Sequence, residues 1–362
     1  MLKSVTVKTE LKEYDIDFRS GFYGISDTIE KSGVKGSKIC VITDDNIEQL
    51  YGDEVKEALL KNFKEVYIKS FTKGEKSKNL DTISDIYKFL LENHFDRKCA
   101  VAGLGGGVAG DMAGFVAATY MRGIEFIQIP TSLLAEVDSS VGGKTGVDFC
   151  GSKNIIGAFY QPSFVYINID TLKTLPKREF SAGMAEVIKY GIILSKDFYN
   201  FISENREKIK SMDIDTMTEV IAKCCEFKAF VVSNDEKEKG MRAILNYGHT
   251  IGHAVESLKE FELIHGECVG IGMVAAMKIS CDRGVITEKD LNEFEELLTY
   301  FDIPVKTKGL NPEDVYSQMF NDKKVSDSKI NFVLVDNEIG KSYVTSEISK
   351  DEIIKAISYV VE

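Results

Sequence analysis

The sequence contains no tryptophan, only five prolines and four histidines, and none of its seven cysteines forms a C-x-x-C pair. The lack of that pair excludes zinc ribbons and dithiol redox motifs, so we expect ordinary buried thiols. The net charge is −12, because 57 acidic residues outnumber 45 basic ones. A nucleic-acid partner needs a net basic face, so we expect none.

Long apolar runs are absent as well. The longest, Cys268 to Met277, contains glycines and is too short to span a bilayer. The amino terminus alternates like a strand and lacks the apolar segment of a signal peptide. We therefore expect a cytoplasmic protein with no membrane partner. Lysines and arginines that recur beside glycines and asparagines in the middle of the chain predict a small anionic ligand.

The first half of the chain alternates between strand-like and helical patterns. Buried-strand patterns occupy Lys38–Thr43, Glu65–Phe71, Cys99–Leu104 and Phe126–Ile129. Helical spacing occupies Asn46–Asn62 and Leu80–Asn93, and a further helix ends near Tyr120. Short apolar strands separated by helices predict a Rossmann-like, mostly parallel sheet covered on both faces.

The pattern changes near residue 172, after which helices dominate. The helical segments are Glu179–Leu194, Lys196–Lys210, Asp215–Val232, His249–Lys259, Gly266–Arg283 and Lys289–Tyr300. A late hairpin over Ile330–Val335 and Lys341–Val344 is the exception. We predict an α/β nucleotide-binding domain over residues 1–172 and an all-α metal- and substrate-binding domain over residues 173–362.

A glycine-rich segment, GGGVAGD, lies between a predicted strand and a predicted helix. Gly105, Gly107 and Gly110 satisfy G-x-G-x-x-G, in which backbone amides can approach a pyrophosphate closely. The acidic residue about twenty positions later, Glu125, begins the next strand instead of ending it. The segment is therefore either a nucleotide site or a tight turn. Asp44 has two interpretations as well, a ribose or adenine contact and a helix N-cap.

Three of the four histidines fall within residues 249–265. His249 and His253 are four residues apart and share a helix face, and His265 can return toward them. Imidazoles with one carboxylate form a catalytic site for a divalent metal, whereas the alternative is a solvated polar face. Spacing alone favours His249 with His253 as ligands. The carboxylate stays open among Glu186, Glu256 and Glu267.

Basic and amide side chains are interspersed with glycines and apolar segments. Lys144 and Lys153 flank a predicted loop in GGKTGVDFCGSKN. Each single lysine can be a solvated surface charge, but this texture is typical of pocket loops that bind anions. The further candidates are Lys189, Lys228, Arg242, Asn246, Lys323 and Lys324.

Six segments occur in order over about residues 100–275: GGGVAGDMAGFVAATYMRG, IPTSLLAEVDSSVGGKTGVD, KNIIGAFYQP, GMAEVIKYG, DEKEKGMRAILNYGHTIGHAVE and HGECVGIGM. They resemble the 3-dehydroquinate synthase family of sugar phosphate cyclases. The resemblance implies a dehydroquinate synthase-like fold, NAD and a divalent metal (zinc, with cobalt as the alternative), and a homodimer. It also implies conversion of 3-deoxy-D-arabino-heptulosonate 7-phosphate to 3-dehydroquinate and phosphate, a step of the shikimate pathway to aromatic amino acids.

The resemblance also implies individual roles. It assigns the metal to Glu186, His249 and His265, which replaces the spacing-based pairing, and it gives His253 substrate contact and proton transfer. The implied NAD contacts are Asp44, Glu75, Lys78, Gly106, Gly107, Val108, Asp111, Thr131, Ser132, Thr174 and Leu175. The implied substrate contacts are Arg122, supplied by a neighbouring subunit, and Asn154, Lys189, Lys228, Arg242, Asn246 and Lys324. Asp138, Lys144 and Lys153 are implied for both cofactor and substrate.

One residue departs from the family pattern, since Glu136 stands where family members often carry a neutral side chain. Two other functions stay open. One is a different sugar phosphate cyclase, above all one that makes an aminated dehydroquinate. The other is a metal-dependent polyol or glycerol dehydrogenase, although a neutral polyol would not need the lysine-rich loops.

Overall fold

The computed structural model describes residues 3–10, 12–260, 262–321 and 330–362. It divides the chain into two compact units. Unit 1 comprises Met1–Leu175 and Met217–Lys237, and unit 2 comprises Pro176–Thr216 and Glu238–Glu362. The predicted boundary at residue 172 lies next to the break after Leu175. The difference is Met217–Lys237, a helical segment of the predicted second domain that belongs to unit 1.

Unit 1 is built on a parallel sheet. Its strands are β1 (Lys3–Lys8), β2 (Glu13–Arg19), β3 (Lys38–Asp44), β4 (Glu65–Phe71), β5 (Ala100–Gly105), β6 (Glu125–Pro130), β7 (Lys144–Phe149), β8 (Ser152–Phe159) and β9 (Phe164–Asn168). Among the described residues, seven strands form one sheet in the order β1-β2-β9-β6-β5-β3-β4. Only the β1–β2 pair in it is antiparallel. The predicted Rossmann-like sheet is confirmed.

The hairpin β7–β8 corrects one sequence prediction. The segment between Lys144 and Lys153, predicted as a loop, consists of two antiparallel strands joined by a turn at Cys150 and Gly151. Both turn residues have positive φ, 49° and 76°. The alternation of side chains in this short hairpin is interrupted by glycines, so its strand character is weak in the sequence.

The helices are numbered along the chain. They are α1 (Ile25–Ser32), α2 (Asp45–Ile47), α3 (Asp53–Leu59), α4 (Leu80–Glu92), α5 (Gly107–Thr119), α6 (Lys177–Leu194), α7 (Lys196–Glu204), α8 (Arg206–Lys210), α9 (Ile214–Asn234), α10 (His249–Leu258), α11 (His265–Asp282), α12 (Glu288–Tyr300), α13 (Pro312–Gln318) and α14 (Lys350–Val360). Two predicted helices are wrong as continuous elements. Asn46–Asn62 contains a π-helical segment at Glu48–Gly52, and Lys196–Lys210 breaks at Asn205.

Both faces of the sheet in unit 1 are buried. Along β3, Ile39 and Val41 point to a cluster that includes residues of α1 and α3, while Cys40 and Ile42 point to a cluster that includes residues of α4 and α5. Burial on both sides explains why the strand reads as a continuous apolar run. Parallel strands also end at the same edge, which places Asp44 beside the glycine turn after β5.

Unit 2 is helical, with one hairpin formed by β10 (Phe332–Asp336) and β11 (Glu338–Thr345). That hairpin and the helical character were predicted and are confirmed. Helix α11 is buried along most of its length and packs against α6, α10, α12 and α14. Within the described parts of the chain, no helix has the length and apolarity that a membrane span requires.

Two glycines of α11 bring helices into backbone contact. A Cβ atom on Gly266 would lie 2.1 Å from the carbonyl oxygen of Ala182 in α6. A Cβ atom on Gly272 would lie 1.9 Å from the carbonyl oxygen of Gly248, directly before α10. No side chain fits at either position, so these glycines set the spacing of the three helices.

We expect Gly272→Ala to destabilise unit 2 by about 3 kcal/mol or more, because the added methyl group meets rigid backbone atoms. The matched control is Gly309→Ala, at an exposed position with a φ of +73° and open space around it. That control should cost only about 1 kcal/mol of left-handed strain. Calorimetric unfolding of both variants measures the difference, and equal losses would contradict the close contact.

Candidate functional site

The glycine turn of unit 1 joins β5 to α5. Gly106 is the N-cap residue of α5, so no side chain caps the first amide groups of the helix. Cβ atoms on Gly106 and Gly107 would lie 3.4 Å and 3.2 Å from the hydroxyl oxygens of Ser132 and Ser139. The glycines leave open the space that side chains would occupy beside the first amides of the helix. Uncapped amides with such space in front of them can bind a pyrophosphate group.

Asp44 caps a helix at the same sheet edge. Its Oδ1 atom accepts hydrogen bonds from the amides of Asn46 and Ile47, both at 3.0 Å. The N-cap interpretation is therefore confirmed. Its Oδ2 atom lies 3.8 Å from the position of a Cβ atom on Gly105, next to the turn. Both cap hydrogen bonds involve Oδ1. The ribose contact of Asp44 remains a prediction.

Lys78 joins a residue predicted to bind cofactor to one predicted to bind substrate. Its buried Nζ atom donates to Asp111 Oδ2 and Asn154 Oδ1, both at 2.6 Å. Burial lowers the pKa of the Lys78 ammonium, but the carboxylates of Asp111 and Glu75 outweigh it and the net shift is upward. The amide of Asn154 also donates to Asp148 Oδ1 at 2.8 Å. The hairpin β7–β8 is thereby tied to α5.

A second buried lysine explains why α9 belongs to unit 1. Lys228 forms an ion pair with the carboxylate of Asp138 and also donates to its carbonyl oxygen. Asp138 lies in the π-helical segment Ala135–Ser139, which follows β6. Two residues predicted to contact substrate therefore contact each other.

Glu136 is the residue that departs from the family pattern, and it is fully buried. Its Oε1 atom accepts a hydrogen bond from the Thr171 hydroxyl at 3.1 Å, and the Cys225 thiol donates to its carbonyl oxygen at 3.3 Å. Burial raises the pKa of this carboxyl well above its usual value. Burial therefore favours the neutral form of this side chain, the form that matches the neutral residue of the family pattern.

Three potential metal ligands meet in unit 2. Glu186 lies in the middle of α6, His249 begins α10 and His265 begins α11. Glu186 Oε1 is 3.6 Å from the Nε2 atom of each histidine. Donor atoms around one tetrahedral zinc ion are about 3.3 Å apart, so this spacing suits a shared cation.

The environment of this trio supports a metal. Glu186 Oε1 is buried and accepts no hydrogen bond from the described residues, as expected of an atom whose partner is an ion. The Glu186 side chain is fully buried, whereas the His265 side chain is 33% exposed. A cation held there would keep one accessible position, as catalytic sites require.

The Nδ1 atom of each of these two histidines has a polar neighbour. His249 Nδ1 is 3.0 Å from the carbonyl oxygen of Tyr247, and His265 Nδ1 is 3.5 Å from Glu256 Oε2. An imidazole that donates through Nδ1 presents the Nε2 lone pair to the shared space, and such partners fix the orientation of the ring. Glu256 therefore lies at the outer nitrogen of His265.

Protonation in the trio follows from burial and charge. Burial lowers the pKa of His249 well below its usual value. Burial alone would raise the pKa of Glu186, but Lys189 and the two histidines hold it well below its usual value. Burial lowers the pKa of His265 too, yet Glu186 and Glu256 outweigh it and raise it to about 9. These shifts favour the ligand forms of the Glu186 carboxylate and the His249 imidazole, and a metal bound there would have to displace a proton from His265.

The structure separates the three carboxylates that spacing left open. Glu267 accepts from Arg178 at 2.7 Å and 2.6 Å and from the Ile264 amide at 3.0 Å. Among the residues that the structure describes, Glu186 groups with His249 and His265, and Glu256 forms a second group with His253 and His265. The spacing-based pair His249 and His253 is close, with ring centroids 5.3 Å apart, but it is not the pair that faces Glu186.

Other predicted residues of unit 2 lie in or beside these helices. Lys189 is buried and forms an ion pair with Glu186. Arg242 is buried in the 3-10 segment Met241–Asn246, and the Asn246 amide donates to Glu238 Oε1 at 3.1 Å. Sequence reasoning missed Glu238, although it lies in one of the quoted motifs. Its position next to Asn246 depends on a backbone with a φ of +56°, which no pattern shows.

The remaining predicted residues of unit 1 lie on several elements. Val108 is in the first turn of α5, and Glu75 is in a 3-10 turn. Thr131 and Ser132 follow β6, Lys144 begins β7, and Lys153 lies in β8. Thr174 and Leu175 are the last residues of the first segment of unit 1. Arg122 is exposed, beyond the far end of α5. A helix of 13 residues is about 20 Å long, so Arg122 does not meet the glycine turn of its own chain. Lys323 and Lys324 lie outside the described residues.

Comparison with known proteins identifies the family. The family profiles described as 3-dehydroquinate synthase N-terminal and 3-dehydroquinate synthase C-terminal match residues 68–182 and 183–325. The chain belongs to the 3-dehydroquinate synthase family. A 3-dehydroquinate synthase of Acetivibrio thermocellus is 46% identical over 353 residues, which cover 98% of each chain. The chain is therefore an enzyme of this family.

Solved structures of related cyclases share the fold. A 2-deoxy-scyllo-inosose synthase, complexed with carbaglucose-6-phosphate, NAD+ and Co2+, is 26% identical with a TM-score of 0.88, covering 99% of this chain and 100% of that one. A 2-epi-5-epi-valiolone synthase from Streptomyces hygroscopicus, with NAD+ and Zn2+ bound, is 22% identical with a TM-score of 0.88, covering 98% of both. The predicted dehydroquinate synthase-like fold is confirmed.

We expect Glu136→Gln to stabilise the protein increasingly as pH rises. The unfolded chain ionises this carboxyl near its ordinary pKa, whereas the folded chain keeps it neutral, so folding must take up a proton at higher pH. The gain should grow by at most about 1.4 kcal/mol per pH unit above about pH 4.3. Melting temperatures between pH 5 and pH 8 measure it.

The control for this test is Glu57→Gln, since Glu57 is exposed in the same unit. It should leave the melting temperature nearly unchanged across the range. A pH-independent effect of Glu136→Gln would mean that the carboxyl is ionised in the folded protein.

Proposed function

We propose that the protein converts 3-deoxy-D-arabino-heptulosonate 7-phosphate to 3-dehydroquinate and phosphate, as an NAD- and metal-dependent carbon–oxygen lyase of the shikimate pathway in the cytoplasm. The observation that carries this proposal is the trio Glu186, His249 and His265, in a chain that belongs to the 3-dehydroquinate synthase family.

The proposed cofactors are NAD at the glycine turn and one divalent cation at the trio, zinc with cobalt as the alternative. Related cyclases bound to NAD+ with Co2+ or Zn2+ support this assignment. When bound, NAD+ accepts a hydride from a secondary alcohol and later returns it, and the metal polarises neighbouring hydroxyl and carbonyl oxygens. The uncapped start of α5 and the buried oxygen of Glu186 are the features that receive them.

The lysines of unit 1 would bind the phosphate of the substrate. Lys144 and Lys153 lie on the two strands of one hairpin, and Lys153 directly precedes Asn154, which Lys78 holds in place. Fixed positive charge stabilises a phosphate dianion as it leaves, without reorganisation during the reaction. Lys228 would contribute from α9, where Asp138 keeps it oriented. We propose that the base for elimination is the phosphate of the substrate itself.

The groups of unit 2 would handle the sugar acid. Lys189 keeps Glu186 ionised and so preserves its capacity as a ligand. The buried guanidinium of Arg242 suits a carboxylate or phosphate, which it can bind with two parallel hydrogen bonds. His253, one turn after His249, is proposed to exchange protons with substrate hydroxyls. Asn246 would donate a hydrogen bond to the substrate.

Phosphate release from the heptulosonate phosphate tests the proposal. We expect release to require both NAD+ and the metal, so that a chelator abolishes it and added Zn2+ or Co2+ restores it. Absorbance of reduced nicotinamide should not accumulate, because the hydride returns to the substrate. Stoichiometric accumulation with glycerol or another polyol would instead show a dehydrogenase. Faster turnover of an aminated heptulosonate phosphate would show the amino branch.

We further propose a homodimer in which Arg122 of a second copy completes each active site. The distance of about 20 Å along α5 separates Arg122 from the glycine turn of its own chain, so a contact with substrate bound near that turn has to come from elsewhere. The backbone supports a dedicated role, since Met121 and Arg122 both have positive φ, 49° and 70°.

Purified heterodimers test this arrangement. One carries Arg122→Ala in one chain and Lys144→Ala in the other, and each substitution alone should lower the rate by about 100-fold or more. We expect this heterodimer to retain about half of the wild-type rate, because one of its two sites has both residues. The reciprocal control carries both substitutions in one chain and should be nearly inactive. The opposite pattern would place Arg122 in the site of its own chain.

A further inference from the structure

An ion pair connects the two helices that carry Glu186 and His265. Arg178 lies in the first turn of α6, and Glu267 lies in the first turn of α11. The Arg178 Nε atom donates to Glu267 Oε1 at 2.7 Å, and a terminal nitrogen donates to Oε2 at 2.6 Å. The same terminal nitrogen donates to the carbonyl oxygen of Glu262 at 2.8 Å.

The carboxylate of Glu267 also fixes the start of α11. Its Oε2 atom accepts a hydrogen bond from the Ile264 amide at 3.0 Å, one residue before His265. One guanidinium therefore holds three things together: the start of α6, the residue that caps α11, and the chain that leads into α11. None of the atoms involved belongs to the proposed metal ligands.

We propose that Arg178 and Glu267 form a positioning clamp that sets the metal affinity of the Glu186, His249 and His265 trio. This inference rests on the proposed metal site. His265 is the first residue of its helix, so the position of its backbone depends on how the start of α11 is held. Gly266 brings α11 into contact with Ala182 of α6. The ion pair of Arg178 and Glu267 joins the same two helices next to that contact.

The clamp suits positioning better than global stability. The Arg178 side chain is 53% exposed, although that of Glu267 is only 11% exposed, and ion pairs open to water on one side add less to the stability of a folded chain than fully buried ones. Its two parallel hydrogen bonds nevertheless fix distance and angle between the two helices. Orientation of metal ligands by their outer partners is worth a factor of 10 to 100 in metal affinity, so geometry can change where stability hardly does.

The chain offers a matched control at the other end of α11. The Arg283 Nε atom donates to Glu352 Oε1 at 2.8 Å, and its terminal nitrogen donates to the carbonyl oxygen of Glu347 at 2.7 Å. Arg283, the C-cap residue of α11, thus also joins a carboxylate and a backbone carbonyl, with one hydrogen bond to the carboxylate where Arg178 has two. It lies about 27 Å from His265 along the 18 residues of α11.

The test uses metal-free full-length protein and measures the dissociation constant of Zn2+ by competition with a chromophoric chelator. We expect Arg178→Ala to weaken binding by about tenfold or more and Arg178→Lys to have an intermediate effect. Arg283→Ala should bind as the wild type does, with a melting temperature similar to that of Arg178→Ala. The visible absorption of bound Co2+ should weaken or shift in Arg178→Ala only, since it reports ligand geometry.

Wild-type affinity and spectrum in Arg178→Ala, or an equal loss in Arg283→Ala, would overturn the clamp. If Arg178→Ala does not fold, Glu267→Gln decides by the same criteria, because its side chain still accepts from the Ile264 amide but loses its charge. His265→Ala separates the two proposals. Wild-type Zn2+ binding there would refute the metal site itself, whereas loss in His265→Ala with none in Arg178→Ala would refute only the clamp.

Discussion

Backbone contact between α11 and its neighbours is the constraint on which the proposed metal centre depends. The three candidate ligands come from three helices, and none of them is adjacent in sequence to another. They can share an ion only if those helices pack so that the three side chains converge. Gly266 and Gly272 bring α11 into backbone contact with Ala182 of α6 and with Gly248, the residue before His249. The chemistry of the site is thus set by residues that have no side chain.

Charge inside the protein is organised in local pairs. Lys78 with Asp111, Lys228 with Asp138, and Lys189 with Glu186 each place a buried ammonium against a carboxylate. Pairing offsets part of the desolvation that a single buried charge would suffer. It also keeps cations in place for an anionic ligand although the whole chain carries a net charge of −12. Glu136 has no cationic partner among these pairs, and burial raises the pKa of its carboxyl, which favours the neutral form.

The sequence predicted most of the sheet and the helices because those elements bury regular patterns. The strand Glu65–Phe71 was predicted to the residue, and the late hairpin was placed correctly. Prediction from sequence failed where tertiary contacts decide the local structure, as in the π-helical interruption at Glu48–Gly52 and the β7–β8 hairpin. Residue type and spacing also suggested a metal but paired His249 with His253, because helix periodicity says nothing about which face meets Glu186. Residue type alone leaves Glu186, Glu256 and Glu267 equally plausible as the carboxylate ligand, and the fold is needed to choose among them.

The link between Lys78 and Asn154 bears on how long a nucleotide would stay in place. The lysine lies between Asp111 of α5 and Asn154 of the hairpin β7–β8, so moving the hairpin away would remove a polar contact from a buried ammonium. Such a contact would slow the release of a nucleotide bound at the glycine turn under the hairpin. Under the proposed chemistry this is an advantage, since a dinucleotide that is reoxidised within each cycle has no need to exchange with the surrounding pool. NAD would then behave as a resident prosthetic group and not as a co-substrate that visits once per turnover.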